Sequence, residues 1–468
     1  MRRTALLLAA TAAAVSVPVL AAPPKAPSAA AEAKVLDLSK QAIALRSVQG
    51  EGNKTAEVAQ LYKRALLGAG WAEKDIEITP IDDTAYLVAT WQGSDAKLKP
   101  LVISGHMDVV EANPKDWTRD PFTPVVENGY LYGRGASDQK FSEVLAMVGL
   151  MELRKAGYKP KRTIVIAFSG DEETTMKTGR ILADRFAHAE MVLNTDGSGG
   201  ALDEATGTPL YWTWDGAEKT YVDIQLEVTN PGGHSSAPRA ENAIAQLSQA
   251  LAKIGAYRFK AEQNPLTQAY FEKAAQFESD PKLAAAMRAF AANVNDEAAV
   301  ATLRASTGYV GKVGTTCVPT MVHGGHAVNA LPQRATANVN CRVFPGHTRA
   351  QIIAELQKAA GVPEVKFTDV TGDTATESDA SPMRGDYVAA VEKAMAASWP
   401  KVPVIPAQSS GATDSMWYRA KGVPSYGISP VFIKDSDDFS HGLNERVELR
   451  NIRPGLIYYF SLLPALSK

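Results

Sequence analysis

The side chains best suited to chemistry sit just after apolar runs. Leu101-Val-Ile-Ser-Gly-His106-Met-Asp108 reads as a buried strand that ends in Gly and then His-x-Asp. His106 and Asp108 lie two apart on extended chain and project to the same side. One can bind a metal while the other orients the ligating imidazole. Gly133-Arg-Gly-Ala-Ser-Asp138 places a carboxylate at the mouth of the next helix. Arg162–Phe168 runs into Ser169-Gly-Asp171-Glu172-Glu173. Consecutive acids after an apolar strand are costly to crowd together unless a cation neutralises them. The next strand ends in Leu193-Asn-Thr-Asp196-Gly, and Phe439-Ser-His441 offers a late imidazole. A structural His–Asp pair or a solvated acidic loop is the bland alternative for each segment alone. The specific signal is the repetition, because successive strands end in acids or His.

Charge balance sharpens that signal. Asp138, Glu173 and Asp196, with one bridging hydroxide, would match the charge of two Zn²⁺ ions, with His106 and His441 completing the ligands. Mixed imidazole and carboxylate ligation suits zinc, with Co²⁺ or Mn²⁺ as substitutes. Other motifs lead nowhere. Ser137-Asp-Gln-Lys140 and Lys177-Thr-Gly179 imitate a penicillin-recognising serine enzyme, but they stand too close in sequence and no Ser-Asp-Asn separates them. Gly133-x-Gly135 opens like a dinucleotide loop, but Asp138 occupies the third glycine position.

Parallel strands alternating with helices are the elements that would gather such residues, since sites in open α/β sheets form beyond the carboxyl ends of strands. Helical spacing over 36–46 and 56–69 precedes strands at Ala85–Trp91 and Leu101–Ser104. A helix from Asp138 to near Ala156 comes next, then the strand Arg162–Phe168, a short helix at Arg180–Ala187 and the strand Met191–Asn194. The pattern changes at Gly216. Lys219–Val228 alternates as a half-exposed strand and opens a β-α-β-β-α-β order, the ferredoxin-like arrangement. The expected plan is therefore an α/β catalytic domain over 35–216 and 372–468, with a mostly parallel sheet. A ferredoxin-like domain over 217–371 is inserted into it and carries a helical insertion at about 255–312.

The stretches SGHMDVV, GRGASDQK, GDEE, NTDG, GGHSSAP and SHGLNE together resemble the co-catalytic di-zinc exopeptidases. That family includes aminoacylases, carnosinases, carboxypeptidase G and carboxypeptidase S, and this chain is most similar to the carboxypeptidase S branch. The resemblance implies that His106 and Asp196 bind one zinc, that Glu173 and His441 bind the other, and that Asp138 bridges both. It also implies a cis peptide after Asp138, with Asp108 hydrogen-bonded to His106 and Glu172 as general base. The inserted domain would be a lid or dimerisation domain, allowing a homodimer. Its His234 would stabilise the oxyanion, often in a partner's active site. Asn329 and Arg342 would hold the substrate carboxylate, Arg through its two-pronged guanidinium. Gly411, in Gly411-Ala-Thr-Asp414, is a candidate helix start lining the pocket. The implied activity is hydrolysis of a terminal amide bond by a hydroxide held between the zinc ions, on a small peptide. An N-acyl amino acid is the alternative substrate, and a catalytically silent binding protein is the remote one. Asp rather than Glu at position 196 favours the peptidase side.

The chain has 468 residues, 49 basic against 51 acidic side chains, and 45% hydrophobic residues. That composition excludes disorder and gives no footprint for nucleic acid. Arg2 and Arg3, the apolar run Ala5–Leu20 and small residues Ala21 and Ala22 resemble a cleaved secretory signal over 1–22. The run is short for a ~20-residue span, so no stable membrane anchor is expected, and export to the periplasm or medium is. Residues 23–34 read as a flexible Ala/Pro-rich lead-in. Cys317 and Cys341 fall on neighbouring predicted strands and are either a cross-strand bridge or two separate buried thiols.

Overall fold

The structure is a computed structural model that describes residues 24–468. The expected signal segment lies outside the described residues. A central sheet takes the order Ile76–Ile81, Thr84–Trp91, Ile164–Ser169, Leu101–His106, Met191–Asn194, Ser425–Gly427, Pro209–Glu218, Gly200–Leu202, Phe432–Ile433, and Val404–Ser409 also pairs with Pro209–Glu218. Its middle strands are parallel and its first strands antiparallel. Leu101–His106 and Ile164–Ser169 are buried along their whole length, as continuous apolar strands covered on both faces should be. Helix Lys140–Lys155 is buried almost throughout, between the sheet and helices Ala29–Ile43 and Ile452–Leu466.

The lead-in is shorter than expected. Ser28 caps a helix over Ala29–Ile43, its hydroxyl accepting from the Ala31 amide at 3.1 Å, and Ala31 and Val35 are buried. A run of alanines reads as linker by composition, but alanine is the best helix former, and here one face finds a core.

The inserted domain is ferredoxin-like. Its antiparallel sheet runs Thr316–Gly324, Arg334–Val343, Thr220–Thr229, Lys366–Asp369, with helices Ala243–Ala256 and Arg349–Ala360 packed on it. Strict alternation buries Val222, Ile224, Leu226 and Val228 against Leu247, Ile352 and Leu356. Cys317 and Cys341 face each other in register and form a disulfide, with Cα atoms 4.0 Å apart. Lys219 alone separates the last central-sheet residue, Glu218, from the first strand of this domain.

The helical insertion does not belong with the domain whose sequence contains it. Helices Pro265–Ala274, Pro281–Ala292 and Glu297–Arg304 are capped by Asn264, Asp280 and Asp296. They bury Phe271, Met287, Phe290 and Leu303 against Ile405 and Ala407 of the central sheet. Within the expected insertion 255–312, Tyr257 and Phe259 pack in the core of the inserted domain, while the three helices shield a strand of the catalytic sheet. Among the described residues no helix is long and apolar enough to cross a membrane.

Candidate metal centre

Parallel pairing puts the chemistry in one place. His106 is opposite Ser169 and Ser104 is opposite Asn194, so three strands end side by side. With neighbouring strands ~4.8 Å apart, residues just past those ends must meet. Asp138 joins them from the turn before helix Lys140–Lys155, and the Asp138–Gln139 peptide is cis, as the resemblance implied. His441 arrives from a loop with a left-handed φ of 59°.

Asp138 stands between two imidazoles. His106 Nε2 lies 3.2 Å from its Oδ1, and His441 Nε2 lies 3.1 Å from its Oδ2. His106 Nε2 is also 3.8 Å from Asp196, and His441 Nε2 is 3.0 Å from Glu173. Ligand atoms ~2.0–2.2 Å from a tetrahedral ion lie ~3.3–3.6 Å from one another, so these separations suit two adjacent ions sharing Asp138. The groups able to hold an ion are His106–Asp138–Asp196, Asp138–Glu173–His441 and His106–Glu172–Glu173. His106 Nε2 is buried without a hydrogen-bond partner, which fits a metal-facing nitrogen.

The other members of the cluster hold the ligands in place. His106 Nδ1 lies 3.2 Å from the Asp108 carbonyl and 3.5 Å from its carboxylate. Asp108 thus meets the His106 ring through its carbonyl and its carboxylate, the carbonyl being the nearer. The Asp108 carboxylate also accepts from the amides of Glu172 at 3.1 Å and Glu173 at 3.0 Å. Asp171 turns away and accepts from the Lys177 and Thr178 amides at the start of the next helix. Only two of the three consecutive acids thus face the site.

Sequence reasoning passes over Glu445, though it lies within SHGLNE. Its carboxylate is fully buried and pairs with Arg134 at 2.6 Å. It also accepts from the amides of Gly135, Ser137 and Asp138, so it shapes the turn that presents Asp138. The short strand Arg446–Glu448, paired with Tyr130–Tyr132, delivers it there. Asp414, which the sequence marks only as the end of a helix start, has a larger part. It is buried behind the strand ends, accepts from Ser169, and is pushed up to about 7 by burial.

Electrostatics give the same reading. Burial pushes the Glu172 carboxyl well up, reinforced by Asp196 and Glu173, and burial with Asp138 does the same to Asp196. Asp138 is held low against its own burial by the imidazoles of His106 and His441 beside it. Hydrogen bonds to Asp138 and Glu173 raise His441 to about 10. Such mutual repulsion among carboxylates is what divalent cations relieve.

The substrate-side candidates are dispersed. His234 is exposed, and a two-residue ladder pairs it with Ala330 beside Asn329. Its Nδ1 accepts the Ser236 amide at 3.1 Å, which leaves the proton on Nε2 as an outward donor. Arg342 lies over the Tyr221 ring at 4.7 Å, close to the hinge. Eight residues of extended strand separate Arg342 from Arg334, the end nearest His234, which is ~27 Å at strand rise. One protomer therefore does not bring Arg342 together with His234 and Asn329. The Gly411 amide is already donated to Ser409 Oγ at 3.0 Å, so it is not free to receive an anion.

Residues 102–465 match the sequence profile of Peptidase family M20/M25/M40. The protein named "Probable carboxypeptidase S-like 2" of Dictyostelium discoideum is 27% identical over 82% of this chain and 74% of its own. The N-fatty-acyl-amino acid synthase/hydrolase PM20D1.1 of Danio rerio is 27% identical over 92% of this chain and 85% of its own. An M20 family metallo-carboxypeptidase from Sulfolobus solfataricus has the same fold, with a TM-score of 0.70 at 18% identity over 92% of this chain and all of that one.

Proposed function

The chain belongs to Peptidase family M20/M25/M40, and from that premise we propose an exported zinc-dependent exopeptidase that hydrolyses a terminal amide bond of a small peptide. The observation that carries the reading is the Asp138 carboxylate, whose two oxygens each face a different imidazole within 3.2 Å. His106 and Asp196 would hold one ion, Glu173 and His441 the other. A bound pair of Zn²⁺ ions would polarise the substrate carbonyl and acidify water.

The chain's own groups do the rest. Glu172, raised by burial and its acidic neighbours, accepts the proton of the attacking water on its carboxylate and gives it to the departing nitrogen. Asp108 keeps Glu172 and Glu173 oriented through their amides. His234 donates from Nε2 to the developing oxyanion. Arg342 holds the free carboxylate with Asn329. Lys219 is near enough to both Arg342 and Lys312 to feel their charge, which makes this junction attractive to an anion.

The dispersal of these residues supports a homodimer in which His234 and Asn329 serve the partner's metal centre. The strand Thr316–Gly324 is an unpaired sheet edge that exposes Val318, Met321 and Val322, a ready surface for a second copy. Export is supported by the N-terminal pattern and by the Cys317–Cys341 disulfide. The second reading, hydrolysis of N-acyl amino acids, is favoured by the similarity to the zebrafish protein.

The test is release of free amino groups from dipeptides and from N-acyl amino acids by zinc-loaded protein, with Glu172→Gln as control. Turnover of dipeptides that the variant loses supports the proposal. Turnover confined to acyl substrates selects the second reading. Equal rates in protein and variant contradict both.

A further inference from the structure

A large cavity lies at the other end of the catalytic sheet, away from the acids. It is a half-open groove of about 960 Å³, at the upper end of the range for small-molecule sites. Ile457, Phe460, Pro464 and Ala465 of helix Ile452–Leu466 line it, with Tyr158 and Ala397. Lys161, on its rim, precedes the strand Ile164–Ser169, whose far end meets the metal centre. Six strand residues make ~20 Å, so an occupant cannot reach the reacting atoms.

The charged side chains of the lining are all lysines. Lys25, Lys159, Lys161, Lys393 and Lys468 all line the opening. The lysines that form ion pairs among the described residues are Lys63, Lys155, Lys177 and Lys421, so none of these five does. Five ammonium groups against the one α-carboxylate of Lys468 leave the lining with an excess of positive charge beside an apolar floor. The chemistry that satisfies both parts is an unbranched hydrocarbon tail with an anionic head.

We propose that this cavity binds a long-chain fatty acid, its tail against Phe460 and Ile457 and its carboxylate among the rim lysines. A groove of that volume is sized for a single chain. The site is independent of the metal centre, so its occupancy does not need Glu172.

The experiment is calorimetric titration of palmitate, below its critical micelle concentration, into purified metal-loaded protein. The expected result is saturable binding of one palmitate per chain. Shortening the tail by two methylenes weakens it about tenfold. Ala397→Trp, which fills the cavity from an exposed helix position, and the double variant Lys159→Glu/Lys161→Glu each weaken it at least tenfold. Both variants keep normal peptide turnover, which separates lost binding from lost folding, and Glu172→Gln binds as the parent does. Hexadecanol and hexadecyltrimethylammonium bind at least tenfold more weakly. Absence of saturable binding overturns the proposal, as does binding that both cavity variants retain. Attachment to anionic phospholipid vesicles without binding of monomeric palmitate overturns it too, and marks the face as a membrane-docking surface.

Discussion

The metal centre and the substrate-holding residues are built in opposite ways. His106, Asp138, Glu173, Asp196 and His441 come from separate segments, yet they meet within 3.8 Å in one protomer. His234, Asn329 and Arg342 share one small domain, yet ~27 Å of strand lies between Arg342 and the end of the sheet that carries His234 and Asn329. Strand ends in a parallel sheet are fixed by hydrogen-bond register, so ligands placed there are positioned by the fold itself. The inserted domain joins the sheet through Lys219 and returns near Ser381, so its position is set by that junction and by any second copy. The difference shows that sequence proximity measures neither kind of assembly.

Perturbations of each region should separate them. The largest effect on stability is expected from Glu445→Ala, which strands Arg134 and three main-chain amides in the interior. Breaking a buried pair on one side costs about 3–5 kcal/mol, and loss of a ligand-orienting group lowers metal affinity ~10–100-fold. Denaturant unfolding and a zinc titration measure the two, and wild-type values in both would mean that Glu445 does not shape the Asp138 turn.

Phe290→Ala comes next, at about 3 kcal/mol from cavity formation. Because Phe290 packs toward Ile405 and Ala407, the loss should appear in amide exchange of the central-sheet strand Val404–Ser409. Destabilisation confined to the strands of the inserted domain would restore the segment to that domain.

Arg342→Ala should leave zinc content untouched and lower kcat/KM by roughly thirtyfold, mainly through KM, for substrates with a free carboxylate. An equal loss on substrates whose carboxylate is amidated would remove Arg342 from recognition.

The smallest effect concerns pH. In chelated protein His441 titrates at about 10 beside Asp138 and Glu173, against ~6.5 unfolded. A raised folded pKa stabilises fully below the unfolded value and loses that contribution as pH rises through the folded one. Metal-free protein should therefore lose a little stability between about pH 6.5 and 10, little because His441 is half exposed. His441→Gln should flatten that slope, and a slope unchanged in the variant would assign it elsewhere.

Much of this is legible in the residues. Leu101–His106 and Ile164–Ser169 are apolar almost throughout, and two such strands paired in parallel must bring the loops at their carboxyl ends together. The alternation from Thr220 to Thr229 announces a half-covered antiparallel strand. Glu445 is not legible, because a lone acid after Asn444 carries no sign that its partners are main-chain amides more than 300 residues away. The attachment of Phe290 to the central sheet is equally hidden, since helical periodicity says which face is buried and not against what. Ala29–Lys34 misleads because its composition suggests a linker while its helix propensity, given a core to pack on, decides the outcome.

The central claim is that Asp138 is shared between two ions. Its most direct test is the stoichiometry of zinc bound by chelated protein and by Asp138→Ala. Shared ligation predicts two zinc ions per chain, and fewer than one in the variant at the same free zinc concentration. Two ions retained with unchanged affinity in Asp138→Ala would contradict it.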